Sequence, residues 1–458
     1  MLKQKIIVVI LAAGKGTRMQ SNYPKVLHYL GGKTILDHVI HTARSIKPKK
    51  IILVWNNKKK IMVSNCNNIP IEWVIQKNPK GTGHAILLAI KNIINNEDIL
   101  VLSGDVPLIS IESIKKLKHA KKISQISLLT MKVNNPYGYG RVLRKKGKVS
   151  GIVEEKDANE KQKNIKEIYS GTFIAQSQDL KRWLKKINNK NKNKEFYATD
   201  IIALAYFENC SIKTIQPLNQ DEILGVNNKL QLSILENILQ KKQINTLLNN
   251  GVILKDSSHF ILRGTLKHGK NVEIDTSVII ENHVILGDDV KIGPGCIIKN
   301  SSINSKTHIQ AYTIIENCKI GKNCIIGPFS HIKSNTILDK HVQIGNFVEI
   351  KNSIIQKKSK VKHLSYIGDA ELGSKVNFGA GSITCNYDGV NKFKTIIGNN
   401  VFIGANTQLI APIKIIKNTT IAAGTTVKKD VNVKCLVYDK KEQIYKKNWK
   451  KSQKFHKK

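Results

Sequence analysis

The sequence predicts two architectures in one chain of 458 residues: an α/β domain with a mostly parallel sheet, then a parallel β-helix of six-residue rungs. Three observations carry that expectation. Up to about residue 228, short apolar runs alternate with amphipathic stretches, as strands alternate with crossover helices. Beyond 251, aliphatic residues recur every six positions, a period that neither a helix nor a flat strand produces. Between them, "NNKLQLSILENILQKKQINTLLNNG" (227–251) sets Leu232, Leu235, Leu239, Leu247 and Leu248 in helical order and stops at Gly251. The expected domains are therefore 1–228 and 251–458, the second ending in a basic tail, joined by a linker helix over 229–250.

The first element is the apolar run Ile6–Ala13, read as a buried strand and too short to span a bilayer. Lys3 and Lys5 precede it as in a signal peptide, but a charged loop follows in place of a small-x-small cleavage site. That loop misses both phosphate fingerprints. Val9 stands where a P-loop needs its first Gly, and Met19 where G-x-G-x-x-G needs its last. The physics beneath those motifs survives. Ala12, Ala13, Gly14 and Gly16 are small enough for backbone N–H groups to approach an anion, and Lys15, Arg18 and Lys25 add positive charge. An ordinary strand-to-helix turn is the plainer reading of this segment taken alone.

Further strands are expected at "IILVW" (51–55), "IEWVI" (71–75), "DILVLSGDVPLI" (98–109) and "SLLTMKV" (127–133), with helices over 81–94 and 110–120. Rossmann-like sheets of this kind bind ligands at the carboxyl ends of their strands. Gly14, Gln76 and Asp105 follow or end such runs and are expected to meet at one edge. In the second half four runs keep the six-residue period: Val272 to Cys296, Ile320 to Ile350, Ile355 to Ile367, and Ile397 to Val427. Three rungs close one coil around stacked aliphatics, and roughly 18 residues per coil gives about eight coils some 4.8 Å apart. The plain alternative is a solenoid that serves only as a scaffold.

The formal charge is +42, which ordinarily suggests a nucleic-acid partner. Only six of the 75 basic residues are Arg, however, and the Lys excess runs evenly through loops such as "NNKNKNKE" (188–195), together with Asn and Ile. That is the mark of drift toward AT-rich codons. Nucleic-acid readers favour the bidentate, stacking guanidinium, so no specific nucleic-acid partner is expected. Seven cysteines, at 66, 210, 296, 318, 324, 385 and 435, form no C-x-x-C pair, which argues against a disulfide framework or zinc site and for a reducing cytoplasm. No apolar stretch reaches the roughly 18 residues of a membrane span.

At "LAAGKGTRM…PKVL", "GTGHA", "SGDVPL" and "GYGR" the chain resembles the sugar-1-phosphate nucleotidyltransferases. "HLSYIGDAELGSKVNFGAGSITCNYDGVNKFKT" on a hexapeptide helix is similar to one family in particular. These are the bacterial bifunctional N-acetylglucosamine-1-phosphate uridyltransferases and glucosamine-1-phosphate N-acetyltransferases. The resemblance implies a left-handed coil, a homotrimer with acetyl-transfer sites between subunits, and a product that feeds cell-wall precursor synthesis. For uridylyl transfer it assigns Leu11, Ala12, Ala13 and Gly14 to UTP, Lys25 to its phosphates, and Gln76, Gly81 and Thr82 to the uracil. Ser103, Gly104 and Asp105 lie at a strand end, with Asp105 and Asn227 as oxygen ligands of Mg²⁺. Gly140, Glu154 and Tyr169 would meet the sugar.

For acetyl transfer the resemblance implies His363 as general base, with a free-state pKa suited to that task. Tyr366, Asn377, Asn386 and Tyr387 accompany it, and Glu349 is the expected partner fixing its tautomer. Lys333, Lys351 and Lys392 would bind the sugar phosphate. Ala380, Asn386, Tyr387, Ala405, Ala423 and Lys440 would line acetyl-CoA. The chain departs from the family pattern at Tyr169 (usually Asn), at Lys333 and Lys440 (usually Arg, so the planar fork is lost) and at Ala405 (usually Ser). Two other readings stand beside the bifunctional enzyme: a nucleotidyltransferase with an inert β-helix, and a regulatory subunit without catalysis. The His363, Asn386 and Tyr387 group argues against the first, and intact Lys25 and Asp105 against the second.

Overall fold

The computed structural model describes residues 6–14, 16–56, 69–93, 97–440 and 442–450. Lys3, Lys5, Lys15 and Cys66 lie outside the described residues. The chain forms two compact units, Met1–Lys242 and Gln243–Lys458.

In the first unit a nine-stranded sheet has the main order Ile212–Ile215, Ile126–Lys132, Glu167–Gln176, Asp98–Ser103, Ile6–Leu11, Lys50–Trp55 and Ile71–Ile75. The last four strands are mutually parallel, and Glu167–Gln176 runs antiparallel to its neighbours on both sides. Alternate residues of Ile6–Leu11 feed two separate cores, Ile7 and Val9 on one face, Ile6, Val8 and Ile10 on the other. A strand covered on both faces reads as one apolar run, which explains the unbroken "IIVVI". The expected strand over 98–109 ends at Ser103. There the chain turns so that Gly104 N–H donates to the Leu11 carbonyl at 2.9 Å.

The linker helix spans Lys229–Asn249. Leu235 joins Met19, Leu30, Ile35 and Val226 in a small core of the first unit, with Leu232 and Leu239 packed against it. The boundary between the compact units therefore falls inside this helix rather than before it.

The second unit is a parallel β-helix in which one face stacks 11 strands and the other two merge into a 17-stranded sheet. From Glu273 to Thr420 the 11-stranded face takes the eight coil steps expected over the aliphatic runs, and strands at Ile253–Leu254 and Leu436–Val437 extend the stack at both ends. Each rung buries two residues, as at Val272 and Ile274, Val278 and Ile280, or Cys296 and Ile298. The run Val272 to Cys296 marks the first of these columns, whereas the other three runs mark the second. Between them some rungs shorten to five residues, as from Cys296 to Ser301, Thr313 to Cys318, Val348 to Ser353 and Ser365 to Ala370. Coils containing such a rung take 17 residues: Asn346 pairs with His363, and Lys360 with Asn377. The six-residue period slips once in each of these coils, and this breaks the sequence pattern into separate runs.

Coil spacing leaves no room for side chains where corners stack. A Cβ at Gly345 would overlap the Lys362 carbonyl of the next coil, which is backbone and cannot give way. Gly345→Ala should therefore lower the stability of the β-helix by about 1–3 kcal/mol, the usual cost of overpacking. Calorimetry of the purified protein, with the thermal transition of the second unit unchanged by the substitution, would contradict this account.

Candidate active sites

The parallel strands of the first unit end at one edge. Leu11 is in register with both Ser103 and Val54, and Trp55 with Ile75. The segments that follow are stitched together by Ala12 N–H to Val54 O (3.0 Å) and Gln76 N–H to Trp55 O (2.7 Å). The expected meeting of Gly14, Gln76 and Asp105 at one edge is thus observed. A Cβ at Gly104 would lie 2.8 Å from Leu11 O and 3.2 Å from Ala12 Cβ, so a side chain there would push the two loops apart. At Gly14 a Cβ would meet nothing within 4 Å, which leaves that face of the loop open.

A charged cluster closes the edge. The Lys25 ammonium donates to Asp105 Oδ2 and, at 3.2 Å, to Asn227 Oδ1, which also accepts from Arg18 Nη2 at 3.0 Å. Ser103 Oγ donates to Asp105 Oδ1 at 2.6 Å. Burial opposes ionisation of Asp105, but the Lys25 charge and the hydrogen bonds from Lys25 and Ser103 outweigh it and hold the carboxyl below its ordinary range. Asn227 is brought in by Val226 N–H to Asp105 O (2.9 Å) and by the start of the linker helix, where Asn227 N–H donates to Gln231 Oε1 at 2.7 Å. Asp105 and Asn227 therefore face one point occupied by a cation, the lysine's own ammonium. Two hard oxygen donors of this kind suit Mg²⁺. Among the described residues no group of three or more His, Cys, Asp or Glu could hold a metal, so a dedicated all-protein cage of such side chains is not formed there.

On the same edge Gln76 is buried, and its Nε2 lies 3.2 Å from Gly81 O and 2.9 Å from His84 Nδ1. Gly81 has φ +109° and sits against the Phe196 backbone, while Thr82 Oγ1 accepts from Ala198 N–H at 3.0 Å. The Gly140, Glu154 and Tyr169 group also forms. Tyr169 pairs with Gly140, and a Cβ on Gly140 would lie 3.6 Å from Glu154 Oε2. Burial raises the Glu154 pKa against a hydrogen bond from Thr199 Oγ1 at 3.0 Å, and burial with the Glu154 charge raises that of Tyr169. Register slips between Tyr169 and Phe173, where Gly171 (φ +80°) approaches Ser103, so this group adjoins the same sheet edge.

In the β-helix, His363 is exposed at the end of Lys360–His363, in register with Asn346. Its Nδ1 lies 3.0 Å from Asn346 Oδ1. With the amide oxygen of Asn346 toward the ring, the contact is a hydrogen bond in the tautomer that carries its proton on Nδ1, and that tautomer has a free Nε2 lone pair. Glu349, expected in this role, instead accepts from Lys333 Nζ at 2.8 Å. Ala380, Ala405 and Ala423 continue the corner of Asn346 and His363 through successive coils, linked by Asn406 N–H to Ala380 O (2.7 Å) and Gly424 N–H to Ala405 O (2.8 Å). Small side chains thus leave the backbone of this outer corner accessible in the coils that follow His363.

A second corner stacks Lys333 and Lys351 in adjacent coils, followed by Gly368. Gly368 makes room for Tyr366 Oη and for Asn386 Nδ2, which donates to Asp369 Oδ2. Tyr387 and Lys392 bridge the neck of the 386–394 loop. Asn377 and Lys440 are exposed, and among the described contacts neither side chain meets the groups above. His363 ends a strand of the 11-stranded sheet, whereas Lys351 and Tyr366 belong to the 17-stranded one. Sequence reasoning missed Asn346 and Asp369, the partners of His363 and Asn386. Each lies 17 positions upstream of its partner, one short coil back, and that spacing is the signal that finds them.

The six described cysteines are free thiols, and no helix among the described residues is long and apolar enough to cross a membrane. Family models match at residues 8–146 (MobA-like NTP transferase domain), 262–363 (GMPPB C-terminal domain) and 394–429 (bacterial transferase hexapeptide, six repeats). The last fits the left-handed hexapeptide type of β-helix. Relatives named "Bifunctional protein GlmU" match from end to end. One from Buchnera aphidicola subsp. Acyrthosiphon pisum (strain Tuc7) is 74% identical over 458 residues, covering 100% of both chains. Another, from subsp. Schizaphis graminum, is 68% identical over 458 residues, covering 100% of this chain and 99% of the relative. A third, from subsp. Baizongia pistaciae, is 53% identical over 441 residues, covering 96% and 98%. With identity at that level along its whole length, the chain belongs to the bifunctional GlmU family.

Proposed function

We propose that the chain makes UDP-N-acetylglucosamine in two steps, acetylating glucosamine-1-phosphate in the β-helix unit and uridylylating the product in the α/β unit. The observation that carries the bifunctional reading is the Asn346–His363 pair on the corner that Ala380, Ala405 and Ala423 continue, since a mere scaffold needs no oriented imidazole there. In the first step the amine of glucosamine-1-phosphate attacks the thioester carbonyl of acetyl-CoA. His363 Nε2 takes the amine proton, Asn346 holds the ring in the required tautomer, and the CoA thiolate leaves. Lys333, Lys351 and Lys392 bind the sugar phosphate, Tyr366 and Asn377 the sugar, and Asn386, Tyr387, Ala380, Ala405, Ala423 and Lys440 the acetyl donor.

In the second step a phosphate oxygen of N-acetylglucosamine-1-phosphate attacks the α-phosphorus of UTP and pyrophosphate leaves. Leu11 to Gly14, Gln76, Gly81 and Thr82 hold the nucleotide, and Ser103 and Gly104 brace the edge. Gly140, Glu154 and Tyr169 orient the sugar, and Lys25 offsets repulsion between the two anions. Asp105 and Asn227 would hold Mg²⁺, whose charge, when bound, neutralises the phosphates. The working form is a cytoplasmic homotrimer. Two features support a site completed by a neighbouring copy: His363 and Lys351 occupy different sheets of one coil, and Tyr312, Phe329 and Phe347 form an exposed stack with centroids 5.2 and 5.6 Å apart.

His363→Ala should lower acetyl-transfer kcat by roughly 10²–10⁴-fold, the usual worth of a general base, with the KM for acetyl-CoA little changed. Uridylylation should persist, and wild-type acetylation in the folded variant would refute the assignment. Asp105→Ala should have the opposite profile, abolishing uridylyl transfer in a coupled pyrophosphate assay while sparing acetyl transfer. Because Leu232, Leu235 and Leu239 complete a core of the first unit, a fragment of residues 1–242 should uridylylate N-acetylglucosamine-1-phosphate. One ending at 228 should be markedly less stable, and equal melting temperatures of the two fragments would remove the helix from that role.

A further inference from the structure

We propose that Lys25 is an internal counter-cation that a divalent metal must displace, so that the ammonium itself limits metal binding to the nucleotide-free protein. The proposal rests on the assignment of Asp105 and Asn227 as metal ligands. Both offer their oxygens to one Nζ, Asp105 through Oδ2 and Asn227 through Oδ1 at 3.2 Å. Those are the oxygens a metal would need. The ammonium is held there by more than its own reach. Gly16, at φ +64°, lets the Lys25 backbone pack closely, since a Cβ on Gly16 would fall 2.7 Å from Lys25 Cβ. Asp105 is locked on its other side by Ser103 Oγ at 2.6 Å, and Asn227 by Arg18 Nη2 at 3.0 Å.

Asn227 Oδ1 accepts from two cations at once, so the competition is set at the carboxylate. A monocation and a dication within bonding distance of the same half-buried carboxylate repel strongly, so one displaces the other. A metal that enters must therefore expel Lys25, and the expelled ammonium needs a new anion. The phosphates of a nucleotide are such an anion, already neutralised in part by the metal they bring. Metal and nucleotide are then expected to arrive together, with Lys25 passing from the carboxylate to the phosphates. Bare metal is resisted. The ion pair thereby links the occupancy of two ligands without any change of fold, and by linkage the effect is reciprocal.

The test is a titration of nucleotide-free protein with Mn²⁺, read by the electron paramagnetic resonance signal of the free ion. Lys25→Met should bind Mn²⁺ about tenfold or more tightly than wild type, the scale of a single close charge pair. Asp105→Ala should lose the site in either background. A Lys25→Met protein that binds no tighter, while Asp105→Ala still abolishes binding, overturns the displacement and leaves the metal assignment standing. Unchanged binding in Asp105→Ala overturns the assignment itself. Wild-type protein supplies a measurement that depends on no variant: acylation of the Lys25 amine by a water-soluble ester, mapped by mass spectrometry. Labelling should rise when Mg²⁺ is added alone and fall again when UTP follows. Labelling indifferent to Mg²⁺ overturns the proposal.

Discussion

Parallel pairing in fixed register is the constraint on which both units depend. Where strands run the same way, their ends fall on one edge, and whatever the loops carry is gathered there. In the sheet, Leu11 lies beside Ser103 and Val54, so the small-residue loop, the Asp105 turn and Gln76 share one rim. In the β-helix, the pairing of Asn346 with His363 places two residues from different coils side by side. A slip by one residue would turn each of these side chains to the wrong face. The buried runs that prevent such slips, Ile6 to Ile10 in one unit and the double aliphatic columns in the other, touch no substrate group assigned here, yet they determine where those groups stand.

The two sites use that gathering for different chemistry. At the sheet edge, charge is concentrated: a carboxylate and an amide share a lysine, an arginine backs the amide, and neutral backbone lines the rest. Such an arrangement suits polyanions, which need donors and cations already in place. At the β-helix corner the oriented group is an imidazole held by an uncharged amide, and the coils beyond it present alanines and backbone. That suits transfer of an acyl group, where the requirement is a free lone pair aimed at an ammonium that has lost its charge.

Much of the fold could be read from sequence because burial on two faces writes long apolar runs and a six-residue period writes a solenoid. The strand at 98–109 was overextended because Val106, Pro107, Leu108 and Ile109 continue the apolar character past Gly104, although the turn there is dictated by the approach of Leu11 and Ala12. The solenoid extends past the aliphatic runs because its end strands, Ile253–Leu254 and Leu436–Val437, do not continue the six-residue pattern. Five-residue rungs ending at Ser301, Cys318, Ser353 and Ala370 place the next buried residue one position before the period asks for it. The same shortening hid Asn346. A fixed count of 18 steps back from His363 lands on Gly345, one residue past the amide that holds the ring. Glu349 looked the better partner because a carboxylate is the commoner companion of a catalytic histidine, but its geometry gives it to Lys333. Side-chain pairing between coils depends on an exact offset, and composition alone does not carry it.

The coil that carries Asn386 and Tyr387 is the long one: Asn377 is in register with Phe402, 25 positions on, whereas Phe402 is in register with Thr420, 18 positions on. The excess is spent at a corner, in the 386–394 loop, whose neck is closed by the Tyr387–Lys392 bridge and by Phe393 N–H to Asn386 O at 2.8 Å. Stacking resumes undisturbed on the next turn, because each coil rests only on its two neighbours. A solenoid corner of this kind is a natural place for novelty. The loop's length and tip residues lie open to mutational exploration without taxing the column beneath, provided its two ends stay paired. The same corner would accept a grafted peptide for display or for altered acyl-donor choice, with the β-helix acting as an indifferent host.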